Sequence, residues 1–226
     1  MRIAGLDVAF ESDYMALVIV EKTLDDPIRL VHLAIWRRFD WNTWKQEMKE
    51  KQSKFHINKL YIDKTNNLSV EKELKSMGFS IEGVSFTNKS KQDMIRNVTR
   101  LLSTEDLVMP VSSQLESLTQ RKLVEELLLQ LSEQEYSQDS SNSKLRHPTG
   151  RHDDLFWALC LALYRFTAKR SSGFYGVGIS IDDQDVLSSS DTQDFVKKFL
   201  RDKQMDGMIC TDMEIKYPNK DWEKVL

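Results

Sequence analysis

Three short runs open the chain: IAGLDVAF, YMALVIVEK and IRLVHLAIWRRF. Each is dense in Val, Ile, Leu and aromatic residues, and each has the length of a single strand. The separators ESD and TLDDP are turn-like, and the second resembles a hairpin connection. A chain that begins this way is committed to an antiparallel meander, and everything after it has to pack on or extend that sheet.

Helix and strand then alternate. Asp40 suits the N-cap of a helix over DWNTWKQEMKEKQSKF. NKLYID reads as a fourth strand, and Ser69 opens the helix SVEKELKSMG, which Gly78 stops. FSIEGVSF is a fifth strand and KQDMIRNVTRLL a third helix. LVMP is a short strand closed by Pro110, followed by a helix over roughly 113 to 135, a polar loop at SQDSSNSK and a last helix over roughly 152 to 168. The order predicts an α/β fold with a mixed sheet of five strands or slightly more. Its first three strands are antiparallel, strands one and four are parallel neighbours, and helices cover both faces.

Length and composition bound the rest. The chain has 226 residues, room for one sizeable domain with additions. Composition changes after AKRSSG, so the domain is expected over 1–170 and an extension over 171–226. Net charge is -3, so nucleic-acid binding would need a local basic patch. No apolar run approaches the ~20 residues of a membrane span. The opening MRIAGLDVAF lacks the basic and apolar segments of a signal peptide. The two cysteines, Cys160 and Cys210, lie far apart with no zinc-ligand spacing, and Cys160 reads as a buried apolar side chain. A reducing cytoplasm is the expected compartment.

The chemistry starts at GRHDDLFWALCLAL, where Asp153 and Asp154 stand directly before an apolar run. Ionised carboxylates are costly near a core unless positive charge meets them. Asp7 ends the first strand and Asp63 the fourth. If those strands are parallel neighbours, both acids emerge at one sheet edge, where sites form in open α/β sheets. The start of the last helix can bring Asp153 and Asp154 to the same place. Taken singly, each acid also suits a turn or a helix start. Together they would repel, and hard divalent cations with oxygen ligands remove that conflict. Mg²⁺ or Mn²⁺ fits better than zinc, since thiolates are lacking and histidines few. Two such ions about 4 Å apart suit attack of water on a phosphodiester.

These pieces resemble, in order, the C-terminal nuclease domain of viral large terminases, the DNA-packaging motors of tailed viruses, which have an RNase H-like fold. The resemblance covers roughly residues 2 to 168: GLDVA with Asp13 six residues beyond Asp7, YIDKT, VSFTNKSKQDMIRNVTRLL, LVMP, LVEELLLQL and GRHDDLFWALCLAL. The HDDxxxALxLA pattern is its most specific part. The resemblance implies metal ligation by Asp7, Asp63 and Asp153 or Asp154, with Asp13 as an auxiliary acid. Where the family often has glycines after the strand-four acid, this chain has Lys64-Thr65-Asn66-Asn67. It also has no GxxxxGK[ST] phosphate loop, so it is not expected to be the ATP-driven motor by itself. An excised domain, a separate nuclease subunit and a relative with another role all remain open.

Two basic clusters flank the acids: Lys89, Lys91, Arg96 and Arg100 after the fifth strand, and Lys144, Arg146, His147, Arg151 and His152 before the last helix. Either could neutralise DNA phosphates, and either could be an ordinary solvated face. Lys91 matches a basic position in the resembled family. Trp157 and Tyr164 read as core packing. The expected activity is a metal-dependent endonuclease cutting concatemeric double-stranded viral DNA during packaging. A packaging ATPase, a small terminase subunit or a portal is a candidate partner. A junction-resolving nuclease keeps the same fold with branched substrate. An assembly module would need no intact acids, and residues 171–226 could serve such docking.

Overall fold

The computed structural model describes residues 1–8, 14–37, 40–64, 68–111, 115–132, 135–139, 142–146 and 152–166. The expected extension, Asp13 and Arg151 lie outside the described residues. The three opening runs form β1 (Arg2–Asp7), β2 (Met15–Glu21) and β3 (Ile28–Trp36), paired antiparallel in sequence. A bulge between Ile19 and Val20 interrupts the β2–β3 ladder. It lets Leu30 and Leu33 both face one layer while Trp36 faces the other.

After β3 come α1 (Trp41–Phe55), β4 (Lys59–Asp63), α2 (Leu68–Ser76), β5 (Ile81–Val84), α3 (Asn88–Ser103) and β6 (Leu107–Val108). The main sheet has six strands in the order β5-β4-β1-β2-β3-β6. β4 pairs parallel with β1, β5 with β4 and β6 with β3. Asp40 caps α1 as its position predicts, accepting a hydrogen bond from the Thr43 N–H at 2.9 Å. Gly78 ends α2 at φ 87°, a left-handed conformation that costs glycine nothing. Thr87 and Ser90 form a reciprocal capping box at the start of α3.

Alternation along the strands divides the core in two. Ala4, Leu6, Met15, Leu17, Ile19, Leu60 and Ile62 meet Trp44 and Met48 of α1 and Val70 and Leu74 of α2. The opposite face carries Ile3, Ala16, Val18, Val20 and Tyr61 against α3, α4 (Leu118–Ser132) and α5 (Asp154–Ala162). Every residue of α5 is buried, Cys160 among them, because the sheet covers one side and neighbouring helices the other. No helix among the described residues is long and apolar enough to cross a membrane.

The start of α4, the end of α5 and the polar stretch between them differ from expectation. α4 begins at Leu118 rather than 113, where the Gln120 N–H donates to Ser117 Oγ at 3.4 Å. α5 stops at Ala162 rather than 168, because α3 takes up the carbonyls beyond it: Asn97 Nδ2 donates to Leu163 O and Arg100 Nη2 to Phe166 O. The polar stretch expected to be a loop instead carries a hairpin, β7 (Glu135–Asp139) with β8 (Asn142–Arg146). Its strands EYSQD and NSKLR are mostly polar, so no apolar alternation announces it.

Candidate active site

At Gly5 the backbone of α5 comes very close to the sheet. A Cβ at that position would lie 2.1 Å from the Ala158 carbonyl oxygen and 2.3 Å from the Ala162 nitrogen. Gly5 and Asp7 share a face of β1, because side chains alternate along a strand. Asp154 and Ala158 share a face of α5, one turn apart. Two residues along the strand cover ~6.6 Å, and one turn back along the helix covers ~6 Å. The two steps match, and the contact at Gly5 therefore sets Asp7 facing Asp154.

Asp63 arrives from the neighbouring strand. The parallel pairing of β1 with β4 runs from Ile3–Lys59 to Leu6–Ile62, so the next step puts Asp7 beside Asp63, about 4.8 Å away in backbone spacing. Asp153 stands at the N-cap of α5 but does not cap it. Its Oδ2 accepts a hydrogen bond from Trp157 Nε1 at 2.8 Å. The cap comes from α4, where Gln130 Oε1 accepts from the buried Phe156 N–H at 2.9 Å. Gln130 thereby releases Asp153 from the role its position suggests.

The electrostatics follow. Burial pushes the Asp7 carboxyl well above the ordinary carboxylate range, and Asp154, Asp153 and Asp63 push it further in that order. Lys91, in the first turns of α3, opposes them. Its Nζ lies 4.6 Å from the centre of the Trp157 ring and 5.1 Å from that of Phe86. Asp154 is 5 % exposed, with Oδ2 3.6 Å from His152 Nδ1.

Beside His152 is a group that the sequence does not announce. Tyr14 stacks on its ring at 4.0 Å between centroids, and the Arg37 guanidinium lies 5.4 Å from the Tyr14 ring. Arg37 also pairs with Glu126 at 3.2 Å. Burial raises the Glu126 carboxyl, while Arg37 and His152 hold it down.

Of the expected site residues, the structure gathers Asp7, Asp63, Asp153 and Asp154 with Lys91 and His152. Lys89 is exposed on the first turn of α3. Arg96 turns to Asp93, and Arg100 is engaged with Asn97, Phe166 and Asp106. Arg146 lies in β8, but its side chain, like Asp13 and Arg151, is outside the described residues. Gln130, Tyr14 and Arg37 carried no local signal, since each meets its partner across the fold. Trp157 carried one: it stands four residues after Asp153, the spacing that brings side chains together on a helix.

Among the described residues no three acid, histidine or cysteine side chains close on one point as a ready metal cage. The donor set is nonetheless that of a hard cation. It consists of carboxylate oxygens around a buried acid whose charge its neighbours disfavour.

A family model described as the terminase RNase H-like domain matches residues 4–166. The large terminase nuclease from thermophilic phage G20c is 18% identical, with a TM-score of 0.58 over 73% of this chain and 82% of that one. The large terminase nuclease domain of Thermus phage P74-26 is 18% identical, with a TM-score of 0.57 over 77% and 84%. The g2p large terminase nuclease domain of bacteriophage SPP1, solved with bound Mn, is 14% identical, with a TM-score of 0.51 over 74% and 86%. No curated protein matches the chain. The structural likenesses establish a shared fold, and the family match runs from β1 through α5, taking in every strand and helix that brings an acid to Asp7: the chain belongs to the family of terminase RNase H-like domains.

Proposed function

We propose that the chain is a divalent-metal-dependent endonuclease that cuts double-stranded viral DNA during genome packaging. The observation that carries this reading is the convergence of Asp63, Asp153 and Asp154 on the buried Asp7, with the Lys91 ammonium beside them. A structural role for these acids would favour pairing them with arginine or lysine, not gathering them. The SPP1 nuclease domain holds Mn, and an Sf6 large terminase nuclease domain holds manganese, which supports the same class of ion here.

In this reading Asp7, Asp63 and Asp153 or Asp154 would hold two Mg²⁺ or Mn²⁺ ions, with Asp13 as an auxiliary ligand. When bound, such ions supply an activated water and stabilise the leaving oxygen of the phosphodiester. The chain's own residues do the rest. The edge of β1 and β4 holds two carboxylates on rigid backbone, and α5 brings the other two. Lys91 supplies positive charge for the scissile phosphate, with Lys89, Arg146, Arg151 and His152 as further phosphate contacts. The sequence carries no base-reading motif, so in this reading the domain cuts with little sequence preference, and choice of site falls to partners such as a packaging ATPase, a small terminase subunit or a portal.

The test is cleavage of supercoiled plasmid with Mn²⁺ or Mg²⁺ by wild type, Asp7→Ala and Asp63→Ala. Metal-dependent nicking that both substitutions abolish supports the assignment. Cutting that survives either substitution, or needs no metal, refutes it.

A further inference from the structure

The acidic site has a lysine in it, and a flexible ammonium among four carboxylates is drawn to pair with one of them. Its ammonium favours the charge that burial and the other acids disfavour at Asp7, and it also meets aromatic faces. Lys91 Nζ lies over the Trp157 ring face at 4.6 Å, and Phe86 flanks it at 5.1 Å. The same indole donates its Nε1–H to Asp153 Oδ2 at 2.8 Å. Trp157 is itself buried, 6 % exposed, and wedged between Phe86 and Phe156 at 5.3 and 5.0 Å. The ring cannot readily turn without losing those contacts.

We infer that Trp157 is a positioning residue for the cleavage site, holding the Asp153 carboxylate by its N–H edge and the Lys91 ammonium by its ring face. This rests on the nuclease reading above. An indole suits both tasks because its π-face attracts cations while its only donor lies in the ring plane. The geometry keeps the two opposite charges on different parts of one rigid group. Asp153 keeps its second oxygen for a cation, and Lys91 stays available for a phosphate. Gln130 completes the arrangement by capping α5 in place of Asp153. Without the indole edge, Asp153 is free to swing back onto its own helix N-terminus.

The two halves of the clamp separate by substitution. Trp157→Phe keeps a ring face and loses the donor, whereas Lys91→Met loses the charge and keeps the indole. Mn²⁺ binding to the full chain is followed by calorimetry, and binding to a DNA duplex by anisotropy in Ca²⁺. Trp157→Phe is expected to weaken Mn²⁺ binding roughly tenfold or more, the usual effect of removing a group that orients a ligand, with DNA affinity close to wild type. Lys91→Met is expected to do the reverse. Equal Mn²⁺ affinity in wild type and Trp157→Phe overturns the inference and returns Trp157 to core packing. Should Trp157→Phe fail to fold, the Trp157 indole N–H signal of ¹⁵N-labelled wild type decides. It shifts on addition of Mg²⁺ if Asp153 is held through the indole, and an unmoved signal overturns the inference. A folded wild type that binds no Mn²⁺ removes the nuclease reading and this inference with it. Binding by wild type that Trp157→Phe leaves intact removes the inference alone.

Discussion

Gly5 and Ala158 stand closer than any side chain at position 5 would allow: a Cβ on Gly5 would lie 2.1 Å from the Ala158 carbonyl oxygen. The obstruction is helix backbone, which cannot swing aside as a side chain tip can. Gly5→Ala is expected to push α5 off β1 and to cost about 3 kcal/mol, at the upper end for overpacking. It should also separate Asp154 from Asp7, so that cleavage falls more than the loss of folded protein explains. Urea unfolding and plasmid nicking at a temperature where the variant stays folded measure the two effects. A cost below about 1 kcal/mol would show that α5 accommodates the methyl group and does not set the site.

Asp7→Asn should stabilise the protein in the absence of divalent cations. At neutral pH the fold holds Asp7 where burial and three carboxylates disfavour its charge, and the amide removes that charge without changing shape. The melting temperature should rise, by ~2–4 °C for each kcal/mol relieved. Saturating Mn²⁺ should raise the wild-type midpoint and leave the variant nearly unchanged. A melting temperature that falls or does not move in metal-free buffer counts against a shared acidic site.

Gln130→Leu removes the acceptor that caps α5. The Phe156 N–H is buried, and leaving it without a partner costs about 1–3 kcal/mol. Gln130→Glu keeps the volume and an acceptor but buries a charge at the acidic start of α5, so it should cost stability at neutral pH and less where acid neutralises it. Chemical denaturation of both variants distinguishes the cap from general packing. A loss below about 1 kcal/mol in Gln130→Leu would show that the bond to the Phe156 N–H is not what holds the start of α5.

His32 confers a pH dependence of stability unrelated to the acids. Burial, with Lys51 and Lys54 adding, lowers its pKa from 6.5 to about 4, and it stacks on Phe55 at 4.7 Å. Between those two pH values the unfolded chain binds the proton and the folded chain does not. The contribution is therefore fully present above pH 6.5 and is lost as pH falls toward 4. Water still reaches this half-buried ring, which reduces the effect to about 1–2 kcal/mol. His32→Leu should flatten the fall in stability across this window by that amount. An unchanged slope in urea titrations at pH 7.5 and 4.5 would assign the acid sensitivity to other groups.

The opening meander and the pairing of β1 with β4 were legible because each run was dense in β-branched and apolar residues, and because Asp7 and Asp63 ended two of them. The four acids were legible for the same reason, as charges placed at strand and helix ends. The hairpin of β7 and β8 was not, since backbone bonding between polar residues leaves no periodic trace. The early end of α5 was hidden because Asn97 and Arg100, far away in sequence, donate to the carbonyls beyond it.

What the amino-acid order determined alone was which residues could carry charge to the carboxyl edge of a sheet, because side-chain alternation and element length are local properties. What only the tertiary structure decided was how each charge is held. Asp153 sits where a helix cap would be, yet α4 supplies the cap and Trp157 takes the carboxylate. The sequence marks Lys91 as a basic position, but only the fold lays it on that same indole. Those outcomes depend on which helices pack side by side, and the packing follows from close contacts such as that of Gly5 with Ala158, which no local pattern encodes.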